Sequence, residues 1–139
     1  MAHEVRSFTG YLIRRAQQAH VAVWQREVST EISSPQFGVL SVLHEFPGRS
    51  QADLCDELDL DRSTIADLVM RLDRRGLIDR SRDEEDRRRN VLFLTALGQT
   101  EYAALLPRVE VLDHVLTSRL TDNEAVELRR LLAAVLEHD

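Results

Sequence analysis

The periodicity of apolar residues changes at residue 77, and this change limits the fold more than any other feature of the sequence. Before it, apolar residues recur at the spacing of helices that pack one face against a core. Leu77–Arg82 and Asn90–Thr95 instead have the pattern of two short strands, joined by the charged segment Asp83–Arg89. The helical spacing returns after Thr95. We therefore expect a mainly α-helical fold with one small β-hairpin.

Capping signals divide the helical part into six helices. The first covers residues 4–28 and is apolar on more than one side, so we expect a second subunit to cover part of it. Ser34 as N-cap and Pro35 at the first helical position open the second helix, which ends at Pro47-Gly48. The N-caps of the other four helices are expected at Ser50, Asp61, Thr95 and Thr121.

The net charge of −6 is distributed unevenly along the chain. Residues 62–90 contain nine Arg against seven Asp and Glu, a net of +2, whereas the remainder contains nine Arg against seventeen acids, a net of −8. A locally basic stretch on an acidic body can bind a phosphate backbone, while the acidic remainder limits the modes of contact. The charge pattern is therefore compatible with a nucleic-acid partner.

A helix, a turn, a second helix and a two-stranded hairpin form the layout of a winged helix-turn-helix, whose second helix enters the major groove of DNA. The N-terminal half of that helix would present Arg62, Ser63, Thr64, Ala66, Asp67 and Arg71. Hydroxyl groups bond to bases or phosphates, and arginine can bind guanine through two hydrogen bonds. An ordinary amphipathic helix would have a similar face, but the basic hairpin that follows favours the DNA interpretation.

The hairpin tip carries three adjacent arginines, Arg87, Arg88 and Arg89, which can reach phosphates or a narrow minor groove. Asp86 can hold one of them in place through a bidentate pair. Residues 83–86 are all acidic, so a solvated run of charges remains the alternative. We predict that the three arginines contact DNA.

Two motifs resemble a known family. Asp86-x-Arg88, followed after five residues by Leu94-Thr95 and then Gly98, is similar to the wing signature of MarR-type regulators. Their recognition helix and its exit resemble Asp61-Arg62-Ser63-Thr64, Arg71-Leu72 and Arg75-Gly76-Leu77. The resemblance extends over nearly the whole chain, including the long first helix and the last two helices.

The resemblance implies one domain over residues 1–139, with a winged helix-turn-helix at about 34–95 and dimerisation helices at 4–28 and 96–138. It implies a homodimer that binds a pseudo-palindromic operator in double-stranded DNA, often as a repressor of adjacent genes. It also implies that Arg88 is the wing residue in the minor groove.

The first helix resembles that of one subgroup of the family. Arg14-Arg15-x-Gln17-Gln18-Ala19-His20, with Trp24 and the later Ser34-Pro35-Gln36-Phe37, is similar to the regulators of protocatechuate and related hydroxybenzoate catabolism. This implies a small aromatic acid as effector, with its carboxylate on Arg14 and a ring hydroxyl on His20. A guanidinium can form two parallel hydrogen bonds to a carboxylate, and an imidazole can form a hydrogen bond with a phenol. The aromatic walls would be Tyr11, Trp24 and Phe37.

Other roles stay open for these residues. Arg14 and His20 are six positions apart, about 120° around an ideal helix, so one ligand contacts both only by lying along the helix. Arg14 could equally be a salt-bridge residue and His20 an interface histidine. Aromatic residues at such positions are more often plain core than the wall of a pocket.

The remaining chemistry points away from an enzyme, since neither a Gly-rich phosphate loop nor a nucleophile–base pair can be placed. His3, His44, His114 and His138 have no metal-ligand spacing with each other or with Cys55, so we expect no metal and no other cofactor. No apolar run approaches the ~18 residues of a membrane span, and the N-terminus lacks the layout of a signal peptide. We expect a cytoplasmic protein with no membrane partner.

Several interpretations of the regulatory role compete. The first is a repressor released by a small aromatic carboxylate. The alternatives are a redox-sensing regulator that uses Cys55 and a regulator with no small-molecule effector. Cys55 falls where a small buried residue normally packs, and a buried thiol is inert. A protein-interaction module with a vestigial winged helix is a further class, against which the intact polar recognition face argues.

Overall fold

The computed structural model describes residues 4–137, and within this range it contains six α-helices and one two-stranded sheet. Residues 1–3 and 138–139, which include two of the histidines considered above and the end of the predicted last helix, lie outside the described residues. After a 3₁₀ turn at Val5–Ser7 the elements are α1 (Thr9–Glu27), α2 (Ser34–Glu45), α3 (Gln51–Leu58), α4 (Arg62–Arg74), β1 (Ile78–Arg82), β2 (Asn90–Leu94), α5 (Ala96–Leu116) and α6 (Asp122–Leu136). The mainly α fold with a small β wing is confirmed.

Two helix starts differ from the sequence prediction. The first α-helix begins at Thr9 rather than near residue 4, because Phe8 is extended and the Ser7 hydroxyl bonds back to the carbonyl of Glu4. The second helix is capped by Ser33 rather than Ser34. Gln36 decides between the two serines, since its side chain accepts a hydrogen bond from the Ser33 N–H at 2.9 Å while its own N–H donates to the Ser33 hydroxyl at 3.2 Å.

Three other predicted caps are confirmed. Ser50 and Thr121 each form a capping box with the residue three positions later, and Asp61 accepts a hydrogen bond from the backbone of Thr64 at 2.7 Å. Gly76 has a φ of +72° where α4 ends, a conformation that side-chain-bearing residues rarely adopt.

The described residues form two compact units, and the chain passes from one to the other after Val28 and again within α5. The central unit, Ser29–Arg108, has a well-filled apolar core. Its fully buried large side chains are Ile32, Val39, Leu40, Leu43, Leu54, Ile65, Val69, Leu72, Leu77, Ile78 and Leu92. The terminal unit comprises the described residues 4–28 and 109–137, and its buried apolar side chains are Trp24, Val28, Leu112 and Ala125.

The two strands pair antiparallel, with Ile78 opposite Leu94 and Arg82 opposite Asn90. Leu92 also bonds to the segment between α2 and α3, donating to the carbonyl of Arg49 at 2.8 Å and accepting from the N–H of Gly48 at 2.9 Å. The middle of β2 is thus joined to the helix-turn-helix.

The start of α5 is fixed against the connection between α4 and β1. The backbone N–H of Thr95 donates to the carbonyl of Leu77 at 3.0 Å, and the Thr95 hydroxyl donates to the carbonyl of Gly76 at 2.6 Å. The same hydroxyl accepts from the N–H of Gly98 at 3.0 Å. A Cβ on Gly98 would lie 2.1 Å from the Leu77 carbonyl oxygen, so only glycine fits at this position.

Candidate nucleic-acid interface and effector residues

The N-terminus of α4 is ordered by its own cap. Asp61 accepts hydrogen bonds from the N–H of Thr64 at 2.7 Å and from the Ser63 hydroxyl at 3.0 Å. These bonds, with that of the Thr64 N–H first, lower the pKa of the Asp61 carboxyl below its usual range. The polar residues predicted for the groove are therefore held on a helix start of defined geometry.

The two faces of α4 have different surroundings. Ile65, Leu68, Val69 and Leu72 are buried in the core. Of the residues predicted to meet DNA, Thr64 is half-buried, and the exposed ones are Arg62, Ser63, Ala66, Asp67 and Arg71. The exposed set follows the helical period, because the opposite side of each turn supplies the core.

Asp67 and Arg71 form an ion pair on this exposed face. The Nε–H of Arg71 donates to Asp67 Oδ2 at 2.9 Å. Neither Nη group of Arg71 has a hydrogen-bond partner among residues 4–137. A guanidinium held through Nε keeps both Nη groups available for an external acceptor.

Asp86 orders the wing tip around Arg88. Its Oδ1 accepts from the backbone N–H of Arg88 at 3.1 Å and lies 3.4 Å from the Arg88 Nε. The side chain of Arg88 remains 93% exposed. Arg87 is exposed as well, and its carbonyl accepts a hydrogen bond from Arg82.

Arg89 has different surroundings from its two neighbours. Its Nη2 forms an ion pair with Asp53 of α3, and its Nη1 lies 3.9 Å from Asp83 Oδ2. The pKa of the Asp53 carboxyl is lowered, mainly by the backbone N–H of Ser50 and also by the Ser50 hydroxyl and Arg89. Sequence reasoning missed this contact, because Asp53 and Arg89 are 36 positions apart and no local pattern joins them.

The candidate effector residues of α1 form two groups. The guanidinium of Arg14 lies 5.1 Å from the centre of the Tyr11 ring, and Arg15 donates to the Tyr11 hydroxyl at 3.1 Å. His20 faces Trp24, with the ring centres 6.0 Å apart. No contact within the described residues joins Arg14 to His20.

One polar atom of this set is orphaned. His20 Nδ1 is buried and has no hydrogen-bond partner among the described residues. A buried polar atom without a partner is costly, so it is a natural place for a ligand or a water to bind.

Phe37 lies in the central unit, where it is buried and stacks with Tyr102 at a ring separation of 5.3 Å. Tyr102 also stacks with His44, at 4.4 Å, and His44 Nδ1 lies 3.0 Å from Gln99 Oε1. This aromatic group could not be predicted, since the sequence pattern of α5 contains nothing that separates Tyr102 from an ordinary core residue.

Cys55 lies in α3 and is half-buried rather than fully buried. Within residues 4–137, no three or more His, Cys, Asp and Glu side chains are grouped so that they could hold a metal ion. No helix in the same range is both long and apolar enough to cross a membrane.

Comparison with protein families and curated sequences gives a consistent result. A family model described as the MarR family matches residues 30–89. The HTH-type transcriptional repressor NicR of Pseudomonas putida is 30% identical over 138 residues, which cover 99% of this chain and 87% of that protein.

Two solved structures are similar to this one over almost their full length. The PcaV transcriptional regulator from Streptomyces coelicolor, in complex with its natural ligand, is 39% identical with a TM-score of 0.93, covering 99% of this chain and 97% of that chain. BpsR of Bordetella bronchiseptica, whose DNA binding is regulated by 6-hydroxynicotinic acid, is 28% identical with a TM-score of 0.95, covering 100% of both chains.

Proposed function

The chain belongs to the MarR family of winged helix-turn-helix regulators, and we propose that it is a homodimeric repressor that a small aromatic carboxylate releases from its operator. It is a DNA-binding regulator rather than an enzyme, as the sequence predicts, because its relatives are regulators of transcription. We propose that the whole chain is one such domain, acting in the cytoplasm on a pseudo-palindromic duplex.

The proposal of DNA recognition rests on one observation: the exposed polar half of α4 and an exposed arginine of the wing belong to the same unit. Arg71 presents two unpaired Nη groups, which suit the O6 and N7 acceptors of guanine in the major groove. Arg88 is almost fully exposed at the wing tip and suits a narrow minor groove. The two elements would therefore contact neighbouring grooves of one half-site.

We expect Arg71→Ala to weaken operator binding by about 1–3 kcal/mol, through loss of a bidentate base contact. Arg88→Ala should weaken it as well, through loss of the wing contact. The duplex for the measurement is selected from a random library with the wild-type protein, and affinities are compared by band shift at fixed salt. Arg26→Ala, which removes the same charge from α1, is the control and should bind like wild type. Wild-type affinity in both test variants would rule out this placement of the grooves.

The surface of the terminal unit supports a homodimer. Most of the large apolar side chains that are exposed among residues 4–137 belong to it. They are Val5, Phe8, Leu12, Ile13, Val21, Val111, Leu116, Leu120, Val126, Leu128, Leu131, Leu132, Val135 and Leu136. A soluble monomer rarely leaves so much apolar surface uncovered, and a two-fold dimer would cover the same patch on both copies.

The effector proposal rests on α1 and on the two similar structures. PcaV holds its natural ligand, and BpsR responds to an aromatic acid. In this chain, Arg14 beside the Tyr11 ring supplies a cation for a carboxylate, and the orphaned His20 Nδ1 supplies a partner for a ring hydroxyl. Trp24 and Phe37 are the further aromatic residues proposed to line the site.

A ligand releases DNA only if it binds the DNA-free form more tightly than the DNA-bound form. A ~100-fold preference corresponds to a coupling of about 2.7 kcal/mol, which is enough to empty an operator held with moderate affinity.

We expect Arg14→Ala to abolish the response to the effector and to leave DNA binding intact, because Arg14 lies on α1, outside the recognition helix and wing. His20→Ala should weaken the response less, since a neutral hydrogen bond is worth less than a charged one. The measurements are calorimetry with protocatechuate, salicylate and benzoate, followed by band shifts with each acid.

Arg26→Ala again serves as a control on the same helix and should respond like wild type. Three outcomes would contradict the proposed site. They are no heat from any of the three acids, a full response in Arg14→Ala, and a loss of response in Arg15→Ala while Arg14→Ala still responds.

A further inference from the structure

We propose that Asp53 is a positioning residue for the wing, and that it holds Arg89 as a structural tie so that Arg88 rather than Arg89 contacts the operator. The inference deepens the proposed function and rests on it. It reassigns one of the three arginines that the sequence pattern places on DNA.

Asp53 is itself held rigidly. Its Oδ2 accepts from the backbone N–H of Ser50 at 2.9 Å, and its own N–H donates to the Ser50 hydroxyl at 3.1 Å. This capping box fixes the carboxylate at the first turn of α3. A side chain that bonds to Asp53 is therefore tied to the helix-turn-helix and not to a mobile partner.

The charge of Arg89 is neutralised in the folded chain. Its Nη2 pairs with Asp53 and its Nη1 lies 3.9 Å from Asp83, so two carboxylates surround one guanidinium. Its side chain is 43% exposed, against 93% for Arg88. The two carboxylates would repel a phosphate that approaches Arg89, whereas the more exposed Arg88 has one carboxylate, Asp86, 3.4 Å from its Nε.

A two-stranded ribbon is marginally stable alone, so its direction depends on what joins it to the rest of the unit. Leu92, in the middle of β2, bonds to the Arg49–Gly48 segment, and Arg89, immediately before β2, bonds to α3. Leu92 and Thr95 hold β2 towards its base, so the pair between Arg89 and Asp53 fixes the end of the strand that lies nearest to Arg88.

The test uses Asp53→Gln. Glutamine is a normal third residue of a capping box, so the substitution keeps the helix cap, while it removes the charge and lengthens the side chain by one methylene. Simple electrostatics predicts tighter DNA binding once an acidic group is removed. If Asp53 positions the wing, the substitution should instead weaken binding to the selected duplex by about tenfold. Affinity for a scrambled duplex of the same composition should not fall.

Arg89→Gln should give the same loss as Asp53→Gln, and the double variant should be no weaker than either single variant, because both remove one contact. Asp53→Glu, which keeps the charge and the cap, should restore most of the affinity. The dependence of affinity on salt should be equal in Asp53→Gln and Arg89→Gln. If Arg89 neutralised a phosphate, the slope of log affinity against log salt concentration would fall by about 0.9 in Arg89→Gln and would not fall in Asp53→Gln.

The inference is wrong if Asp53→Gln binds the selected duplex as tightly as wild type or more tightly, if the two single losses add, or if Arg89→Gln alone has a reduced slope. Thermal melting of each variant at equal protein concentration confirms that the fold persists. Failure of the wild-type protein to select any duplex would instead contradict the proposed function, so the two failures are distinguishable.

Discussion

Gly98→Ala is expected to lower the free energy of unfolding by about 3 kcal/mol and Tm by about 10 °C. The new Cβ would lie 2.1 Å from the Leu77 carbonyl oxygen and 3.1 Å from its carbonyl carbon. Both atoms are backbone, so no side-chain rotation relieves the contact. That oxygen also accepts the N–H of Thr95, so a shift of the backbone breaks the start of α5. Thermal melting followed by circular dichroism measures the loss.

Gly10→Ala is the matched control for this change. A Cβ at Gly10 meets nothing within 4 Å, and the residue lies in the first turn of α1. Alanine favours a helix by up to about 1 kcal/mol over glycine, so Tm should stay the same or rise slightly. The two proteins are compared at equal concentration, because association shifts the apparent stability. Equal melting of both variants would show that the contact at Gly98 relaxes at no cost.

Local features of the fold could be predicted because a few neighbouring residues decide them. The caps at Ser50, Asp61 and Thr121 each bond to a backbone N–H three positions later, within one turn. The prediction at Ser34 was wrong for an equally local reason. Both Ser33 and Ser34 are good caps, and only the reciprocal bond of the Gln36 side chain selects the first of them.

Contacts between distant positions could not be predicted in the same way. Asp53 and Arg89 are 36 positions apart, and His44 and Gln99 are 55 apart. Neither pair follows a helical or strand period, so only the folded chain brings them together. The orphaned nitrogen of His20 is a similar case, because its burial depends on packing and not on its neighbours in sequence.

Counting the charged residues of the wing tip does not show which of them pair with each other. The acidic residues 83–86 made a solvated charge run a credible alternative for this segment. In the folded chain Asp86 bonds to Arg88, and Asp83 lies beside Arg89. These two acids order the arginines instead of merely opposing them, and this is the arrangement from which the different roles of Arg88 and Arg89 follow.

Leu132→Glu is expected to convert the protein to a monomer of 15.9 kDa and to weaken operator binding by at least about 100-fold. Leu132 is 44% exposed in the single chain, so a charge there is compatible with the folded protomer. A two-fold interface would instead bury that charge once from each copy, and an unpaired buried charge is strongly unfavourable. A monomer contacts one half-site and loses the gain from linking two recognition helices about one DNA turn (~34 Å) apart. Sedimentation and band shifts measure the two losses.

Arg130→Gln is the control on the same helix. It changes the net charge by the same amount as Leu132→Glu, and it removes only the surface pair between Arg130 and Glu127. That variant should remain dimeric and bind the selected duplex normally. A Leu132→Glu protein that still sediments as a dimer would mean that α6 is not the dimer surface. A monomeric Leu132→Glu protein with wild-type affinity would mean that one recognition helix is sufficient. Mass and affinity are measured separately. The proposed dimer requires that both fall in Leu132→Glu and that neither falls in Arg130→Gln.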